Sequence, residues 1–270
     1  MLKDITLGQY FPGESVIHKL DPRFKILFTI FYIVTVFLAK SVEAYVVVAV
    51  FIFTVIFVSK IPVKHVFRGL KSLMFLIAFT SFFNLFMTEG ERLFSIGPLV
   101  ATREGLQLML LMIARIFFLI IGTTVLTFTT SPISLTDGIE HLLKPFRRIG
   151  VPAHELAMMM TIALRFIPTL LEETDKIMKA QSARGADFES GNIIQRAKGF
   201  IPLLVPLFIS AFRRADELAV AMECRCYQGG EHRTRMKELH VAARDYLGTG
   251  ILILFCAVVV LFRFYHFIQL

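Results

Sequence analysis

The sequence predicts an all-α polytopic membrane protein with about five transmembrane helices and a charged domain built from long helices. Of its 270 residues, 56% are hydrophobic and 28 are Phe, whereas only 19% are charged. A soluble domain of this size cannot bury so much apolar surface. Apolar runs long enough, or nearly long enough, to cross a hydrocarbon core of about 30 Å recur along the chain. A long charged segment separates the last of these runs from the others.

Five apolar runs are predicted to cross the membrane, at residues 24–38, 44–58, 70–87, 106–128 and 247–268. The first two are short and separated only by AKSVE, which predicts a tight helical hairpin. The domain boundaries follow from these runs. We expect a membrane domain, a cytoplasmic or interfacial helical domain and a C-terminal transmembrane helix, over residues 1–128, 129–246 and 247–270.

Basic residues concentrate in two of the segments that flank the apolar runs. They are Lys3, Lys19, Arg23, Lys25, Lys60, Lys64, Arg68 and Lys71. Because short cytoplasmic loops carry the excess of Lys and Arg in membrane proteins, we expect a multi-pass protein of the cell membrane with a cytoplasmic N-terminus and an outer C-terminus. The formal net charge of +8 is then a topology signal that suits anionic lipid headgroups, and it does not support nucleic-acid binding.

Within the charged domain the sequence predicts three helices, at residues 134–149, 152–183 and 193–224. Pro145 indicates a kink or an early end of the first helix, and the second continues past Pro168. The third helix is predicted to be broken by Pro202 and Pro206. Both long helices are apolar in their first half and charged in their second. At 1.5 Å per residue, a helix of about thirty residues extends roughly 45 Å and carries its end well away from the membrane.

The two long predicted helices end in the same motif. DKIMKAQSARG ends the second helix and DELAVAMECRC ends the third, and they align on Arg184 and Arg225. Small residues flank each arginine, namely Ala183, Gly185, Cys224 and Cys226. Small neighbours let the backbone of another protein approach, while the guanidinium offers five donors in a fixed fork. The doubled motif predicts two protein-docking points, although two amphipathic helices with merely solvated ends would show a similar pattern.

Two polar residues fall inside predicted transmembrane runs. Arg115 lies in the middle of LLMIARIFFLII, and Asn84 lies in TSFFNLFM. Polar groups inside a membrane are costly and often functional, so both are candidate intramembrane functional residues. Arg115 could pair with an acidic residue of another subunit, or it could face the bundle interior against backbone carbonyls.

Catalytic and metal-binding patterns are missing from the sequence. RGLKS at residues 68–72 lacks the order of a phosphate-binding loop, so the chain is not expected to bind ATP. His154-Glu155 is not followed by the second His of a zinc protease, and Cys224 and Cys226 form a C-x-C without a second pair. We therefore expect a protein without enzymatic activity, cofactor or metal of its own.

The region from residue 129 to 227 contains TTSP, LLKPFRRIGVP, ALRFIP, AQSARGADF, IPLL and AMECRCY in this order. This run resembles the transmembrane T component (EcfT/CbiQ-like) of energy-coupling factor transporters, which are ABC-type importers of vitamins and metal ions. The resemblance implies a coupling domain of long crossed helices that docks on two ABC-type ATPase subunits, which bind the ATP. It also implies a small hydrophobic substrate-binding S component beside this chain in the bilayer.

The resemblance carries over to individual residues of the two motifs. Ala183-Arg184-Gly185 matches the first family motif without alteration. Cys224-Arg225-Cys226 occupies the second, where the family more usually has Ala or another small residue before the Arg and Gly or Ser after it. A self-contained secondary transporter is the alternative, but it would need broken helices at the bilayer centre and a duplication of membrane spans. The visible repeat lies in the charged domain instead.

Overall fold

The computed structural model of the chain describes residues 10–96, 99–186, 188, 194, 199–229 and 238–268, without the side chains of 63–72, 92, 94–96, 99–100 and 265–268. Over these residues the chain forms eight α-helices. They are α1 (Pro22–Leu38), α2 (Val42–Ser59), α3 (Val63–Met87), α4 (Arg103–Thr129), α5 (Pro132–Leu143), α6 (Ala153–Ala183), α7 (Ile201–Cys224) and α8 (Ala243–Ile268). The predicted all-α fold class is confirmed.

Two short elements accompany the helices. An antiparallel hairpin of β1 (Arg92–Ile96) and β2 (Leu99–Thr102) joins α3 to α4, and the sequence analysis did not predict it. A 3-10 helix (Lys144–Ile149) follows α5, so the segment predicted as one helix at 134–149 is α-helical only as far as Leu143. Pro145 accounts for this early end, because proline cannot donate the helical hydrogen bond.

Side-chain caps set the starts of three helices. Asp21, Ser41 and Thr102 have extended backbone, and each accepts a hydrogen bond from a backbone N–H in the first turn of α1, α2 or α4. Pro22 follows Asp21 at the first position of α1, where a missing N–H costs nothing. These local signals explain why the helices begin within a few residues of the predicted apolar runs.

Four of the described helices are long and apolar enough to cross a membrane, at Val42–Ser59, Arg103–Thr129, Ala153–Ala183 and Ala243–Phe264. Three of these correspond to predicted spans. The other two predicted spans match shorter apolar segments, the 17-residue α1 and Leu73–Met87 within α3. The fourth long helix, α6, was predicted in the charged domain, and it qualifies because of its apolar first half.

The chain divides into two compact units. Among the described residues, the bundle unit contains those of 10–139 and 238–268, and the long-helix unit contains those of 140–229. These two units are defined by which residues contact one another. The domain boundaries expected after residues 128 and 246 instead separate membrane-spanning segments from a cytoplasmic segment, and they stay predictions.

In the bundle unit, α1, α2, α4 and α8 share one apolar core. Tyr32 lies at its centre, with its ring near those of Phe51 and Phe255 and its hydroxyl donating to the carbonyl of Phe118 at 2.9 Å. Gly122 makes this packing possible, because a Cβ at that position would lie 2.1 Å from the Tyr32 ring. Close approach of α4 to α1 therefore requires glycine here.

A buried polar network joins three helix ends of the bundle unit. Asp245, 1% exposed, accepts hydrogen bonds from the backbone N–H groups of Asp21 (2.9 Å) and Ala242 (2.8 Å). Lys25, 6% exposed, donates to the carbonyls of His18 (3.0 Å) and Thr129 (2.9 Å). The starts of α1 and α8 and the end of α4 therefore lie together. From the sequence, Lys25 is expected only to be a topology charge, whereas in the structure it is buried and bonded to two backbone carbonyls.

In the long-helix unit, α6 packs antiparallel to α7. Glu173 accepts hydrogen bonds from the hydroxyl of Ser210 and from Arg214 Nη2, the latter at 2.9 Å. Farther along α6, Gln181 Nε2 donates to the carbonyl of Pro202 at 3.4 Å. The contact nearer the end of α6 is therefore made with a residue nearer the start of α7, so the two helices run antiparallel.

The predicted break at Pro206 is wrong, because α7 is continuous from Ile201 to Cys224, whereas Pro202 follows a turn at Phe200, where α7 begins. Pro202 occupies the first turn, where backbone N–H groups have no helical acceptor. Pro206 lies one turn later and costs α7 a single internal hydrogen bond. The predicted start of this helix at residue 193 lies outside the described residues.

Candidate functional site: two arginine caps

The two arginine motifs form the C-terminal ends of α6 and α7. Arg184 is the C-cap of α6, with φ −89° and ψ 7°, and Arg225 is the C-cap of α7, with φ −92° and ψ 13°. Because the backbone angles agree so closely, the repeat seen in the sequence is also a repeat in backbone geometry. We call residues 181–186 and 222–227 the arginine caps.

Each arginine cap has the hydrogen bonds of a Schellman motif. In the first cap, the N–H of Gly185 donates to the carbonyl of Ser182 (3.0 Å), and that of Ala186 donates to Gln181 (3.0 Å). The second cap has the same pair of bonds, from Cys226 to Glu223 (2.8 Å) and from Tyr227 to Met222 (3.1 Å). These bonds satisfy carbonyls that a helix end otherwise leaves without partners, and they hold each arginine at a fixed point of the turn.

The residue after each arginine adopts a left-handed backbone. Gly185 has φ +87°, and Cys226 has φ +54°. Glycine takes this conformation without steric cost, whereas a residue with a Cβ pays roughly 1–2 kcal/mol for it. Glycine after the first arginine is therefore explained by the turn itself, and cysteine after the second is tolerated at some cost in stability.

Both arginines are exposed and available to a partner. Within the part of the chain that the structure describes, neither guanidinium forms a hydrogen bond or an ion pair. The flanking residues Ala183, Gly185, Cys224 and Cys226 are exposed as well. Each cap therefore presents a planar cation with small neighbours, an arrangement that can bind a carboxylate or a set of backbone carbonyls in a bidentate manner.

The arginine caps lie at opposite ends of the α6–α7 pair. Measured from the contact between Glu173 and Ser210, Arg184 lies about 16 Å along α6 and Arg225 about 22 Å along α7, taking 1.5 Å per residue. Because the helices run antiparallel at that contact, these displacements point in opposite directions. The two arginines are therefore presented at opposite ends of the helix pair.

Arg115 faces the interior of the bundle unit. Its Nε donates to the hydroxyl of Tyr45 (3.0 Å) and its Nη2 to the carbonyl of Ala39 (3.1 Å). The Phe37 ring centroid lies 5.9 Å from the guanidinium carbon, within range of a cation–π contact. Of the two arrangements that the sequence left open, the structure shows the guanidinium facing the bundle interior, against one backbone carbonyl and one hydroxyl.

Asn84 is half-buried in α3, and its Nδ2 donates to the carbonyl of Thr80 in the same helix at 2.8 Å. The structure does not bring it into a hydrogen bond with Arg115. A functional role for either residue stays a prediction.

Sequence reasoning missed the contacts that join α6 to α7. Glu173, Ser210 and Arg214 belong to no motif, and Glu173 and Arg214 lie in charged stretches that are typical of solvated helix faces. Only the packing of the helices shows that these residues meet.

No group of three or more His, Cys, Asp or Glu among the described residues could hold a metal ion.

Comparisons with known proteins agree on one family. The family model described as CbiQ, cobalt transport protein, matches residues 13–236. The chain is 60% identical to the energy-coupling factor transporter transmembrane protein EcfT of Thermosediminibacter oceani over 93% of its length and 96% of that relative. It is 61% identical to the EcfT of Clostridium kluyveri, over 92% and 93% of the two chains. Identity to the Bacillus subtilis EcfT is 47%, over 91% and 93%.

Proposed function

This chain belongs to the CbiQ family and is a transmembrane T component of the energy-coupling factor type, and from this premise we propose that it couples two ABC-type ATPase subunits to a substrate-binding S component. The observation that carries the proposal is the pair of arginine caps. They share one backbone geometry, expose Arg184 and Arg225, and lie at opposite ends of two packed helices.

Each arginine cap is proposed to dock on one ATPase. ATP binds to those subunits, and this chain contributes neither cofactor nor catalytic residue. A groove with carboxylates or free carbonyls at its base would match the guanidinium fork, and the small residues beside each arginine would let the groove wall come close. Two similar caps fit two similar ATPases.

The antiparallel helices are proposed to transmit motion. When ATP draws the two ATPases together, the caps move with them, and α6 and α7 shift relative to each other. The ion pair between Glu173 and Arg214 and the hydrogen bond from Gln181 to Pro202 hold the helices in one alignment, so displacement of one helix is passed to the other. The apolar first halves then carry the motion to the S component, which takes up a vitamin or a metal ion.

The proposed location is the cell membrane, with the N-terminus in the cytoplasm and the C-terminus outside. The hydrogen bonds of Lys25 and Asp245 support one part of this topology, because they gather the starts of α1 and α8 and the end of α4 at one side of the bundle unit. The basic residues Arg23, Lys25 and Arg244 are near that side, as the positive-inside rule requires of the cytoplasmic face.

Purification of the tagged full-length chain from its native host tests the proposal, with co-purifying proteins identified by mass spectrometry. We expect two ABC-type ATPases and one or more small hydrophobic membrane proteins. The double variant Arg184→Glu with Arg225→Glu should insert in the membrane but lose the ATPases, because like charges would meet the acidic partners.

The matched control changes two exposed basic residues of the same helices, Lys179→Glu with Arg213→Glu. It alters the net charge equally but leaves the arginine caps intact, so it should retain the ATPases. If the cap variant also retains them, the coupling proposal fails. A wild-type chain that purifies alone would favour a self-contained secondary transporter.

A further inference from the structure

A cavity of about 390 Å³ lies within the bundle unit, among α1, α2, α4, α8 and the segment that precedes α1. Its walls run from Lys25 to Tyr32 on α1 and from Arg244 to Leu252 on α8. At 1.5 Å per residue, these stretches span roughly 10–12 Å along the helices. The cavity therefore extends into the bundle from the side where α1 and α8 begin.

The lining of the cavity is largely apolar. Val16, Ile17, Leu20, Phe28, Val55 and Leu252 contribute to the walls, and Tyr32 and Phe51 contribute their rings. The Tyr32 hydroxyl is already hydrogen-bonded to the carbonyl of Phe118, so this residue offers mainly its ring to the cavity. A volume of this size is in the range of known ligand pockets.

Most polar side chains of the lining have partners within the protein. Thr29, Thr54 and Thr129 each donate to a carbonyl one turn earlier in their own helix. Lys25 donates to the carbonyls of His18 and Thr129, and the negative charges of Asp21 and Asp245 lie near it. Because bound water needs two to four polar partners, such a lining suits a hydrocarbon occupant better than water.

Arg244 is the exception among these side chains. It is exposed, and its guanidinium has no hydrogen bond or ion pair with the residues that the structure describes. It contributes to the cavity lining near the start of α8. An unpaired guanidinium next to an apolar cavity provides a binding group for phosphate beside a binding surface for hydrocarbon.

We propose that the cavity holds an acyl chain of an anionic phospholipid from the cytoplasmic leaflet, whose phosphate pairs with Arg244. The leaflet follows from the topology given under the proposed function, and anionic lipids concentrate on that side of a membrane. The acyl chain fills the space between α1, α2, α4 and α8, and the headgroup remains at the membrane surface. The bound lipid then acts as a structural component of the bundle unit.

Lipid titration of the purified full-length chain, followed by native mass spectrometry, tests this proposal. The probes are phosphatidylglycerol and phosphatidylcholine with the same acyl chains. The wild type should bind phosphatidylglycerol more tightly. Arg244→Gln should weaken that binding about fivefold, the contribution of one basic residue near an anionic surface, and should leave phosphatidylcholine unchanged. Arg263→Gln, on the same helix but not in the cavity lining, is the control and should bind as the wild type does.

A second variant tests the acyl chain. Val55→Phe places a larger side chain in the cavity and should weaken both lipids, whereas Val50→Phe adds the same volume to an exposed position of α2 and should weaken neither. The proposal would be overturned if phosphatidylglycerol and phosphatidylcholine bound equally tightly to the wild type and also to Arg244→Gln. Displacement of the lipid by soluble glycerol phosphate would also overturn it, because a phosphate site alone would then suffice.

The lipid experiment can be separated from the proposed function. Arg244→Gln should still co-purify with the ATPases, and the Arg184→Glu, Arg225→Glu variant should still bind phosphatidylglycerol. Failure of the lipid proposal would therefore leave ATPase docking untouched, and failure of docking would leave the lipid result to stand.

Discussion

Gln181 donates a hydrogen bond from its side-chain amide to the main-chain carbonyl of Pro202, at 3.4 Å. In a regular α-helix this carbonyl would accept from the N–H of residue 206, but residue 206 is a proline without an N–H. A side chain of α6 thus supplies the donor that α7 lacks. Because Gln181 is the first residue of the first arginine cap, this bond also ties the end of α6 to the start of α7.

This relationship predicts that Gln181 and Pro206 are energetically coupled. Gln181→Leu should lower the free energy of unfolding by about 0.5–1 kcal/mol, because it removes the donor to Pro202. In the Pro206→Ala variant, the N–H of residue 206 can itself donate to the carbonyl of Pro202. Gln181→Leu should therefore lower the free energy of unfolding clearly less in that variant. Thermal unfolding in detergent of the wild type, both single variants and the double variant gives the coupling energy. Additive effects would show that the two residues act independently.

The left-handed residues after the two arginines lead to opposite predictions. Cys226→Gly should stabilise the end of α7 by about 0.5–1 kcal/mol, because glycine takes a positive φ without strain. Gly185→Ala should destabilise the end of α6 by about 1 kcal/mol for the same reason. Amide hydrogen exchange over the last turn of each helix measures the change in local stability.

Cys224→Ala is the matched control for the cap variants, because residue 224 is helical and needs no special backbone conformation. It should leave exchange at the end of α7 nearly unchanged. If Cys226→Gly instead raised the exchange rate there, the cysteine side chain would stabilise the last turn of α7 by more than its left-handed backbone destabilises it.

Much of the fold is encoded in local signals that can be read from the sequence. Apolar runs locate α2, α4 and α8, capping residues fix helix starts, and Pro145 ends α5 early. The alignment of the two arginine motifs anticipates the matching backbone of the arginine caps, because the same residue spacing from the arginine gives the same turn.

Other features depend on which helices pack together, and no local signal reveals that. The hydrogen bond from Gln181 reaches the carbonyl that Pro206 leaves without a helical donor, yet Gln181 lies in another helix. Lys25 has the sequence context of a cytoplasmic loop charge, and its burial follows from the carbonyls of His18 and Thr129 that meet it in the bundle unit. The hairpin before α4 is short and its residues are mixed, so a hydropathy pattern does not indicate it.

Glu173 provides a way to separate docking from transmission. Glu173→Gln removes the charge that Arg214 and Ser210 contact, and it should weaken the α6–α7 pair by about 1 kcal/mol after allowance for partial exposure. The arginine caps remain intact, so ATPases should still co-purify, while substrate uptake in vesicles should fall severalfold. The neighbouring exposed residue gives the control, Glu172→Gln, which should transport as the wild type does. Loss of the ATPases in Glu173→Gln would instead mean that the pair shapes the docking surface.

Arg115 is predicted to stabilise this chain rather than to bind another subunit. Arg115→Met should lower the free energy of unfolding by about 1–3 kcal/mol, because it leaves the buried carbonyl of Ala39 and the hydroxyl of Tyr45 without their donor. Tyr45→Phe should cost less alone and should add little to Arg115→Met, since both remove the same hydrogen bond. Arg263→Met is the control, because that residue lies near the end of the last helix and can extend to the interface. Thermal unfolding in detergent measures all four variants. Wild-type stability of Arg115→Met combined with loss of a co-purifying partner would contradict the prediction and assign Arg115 to an intersubunit contact.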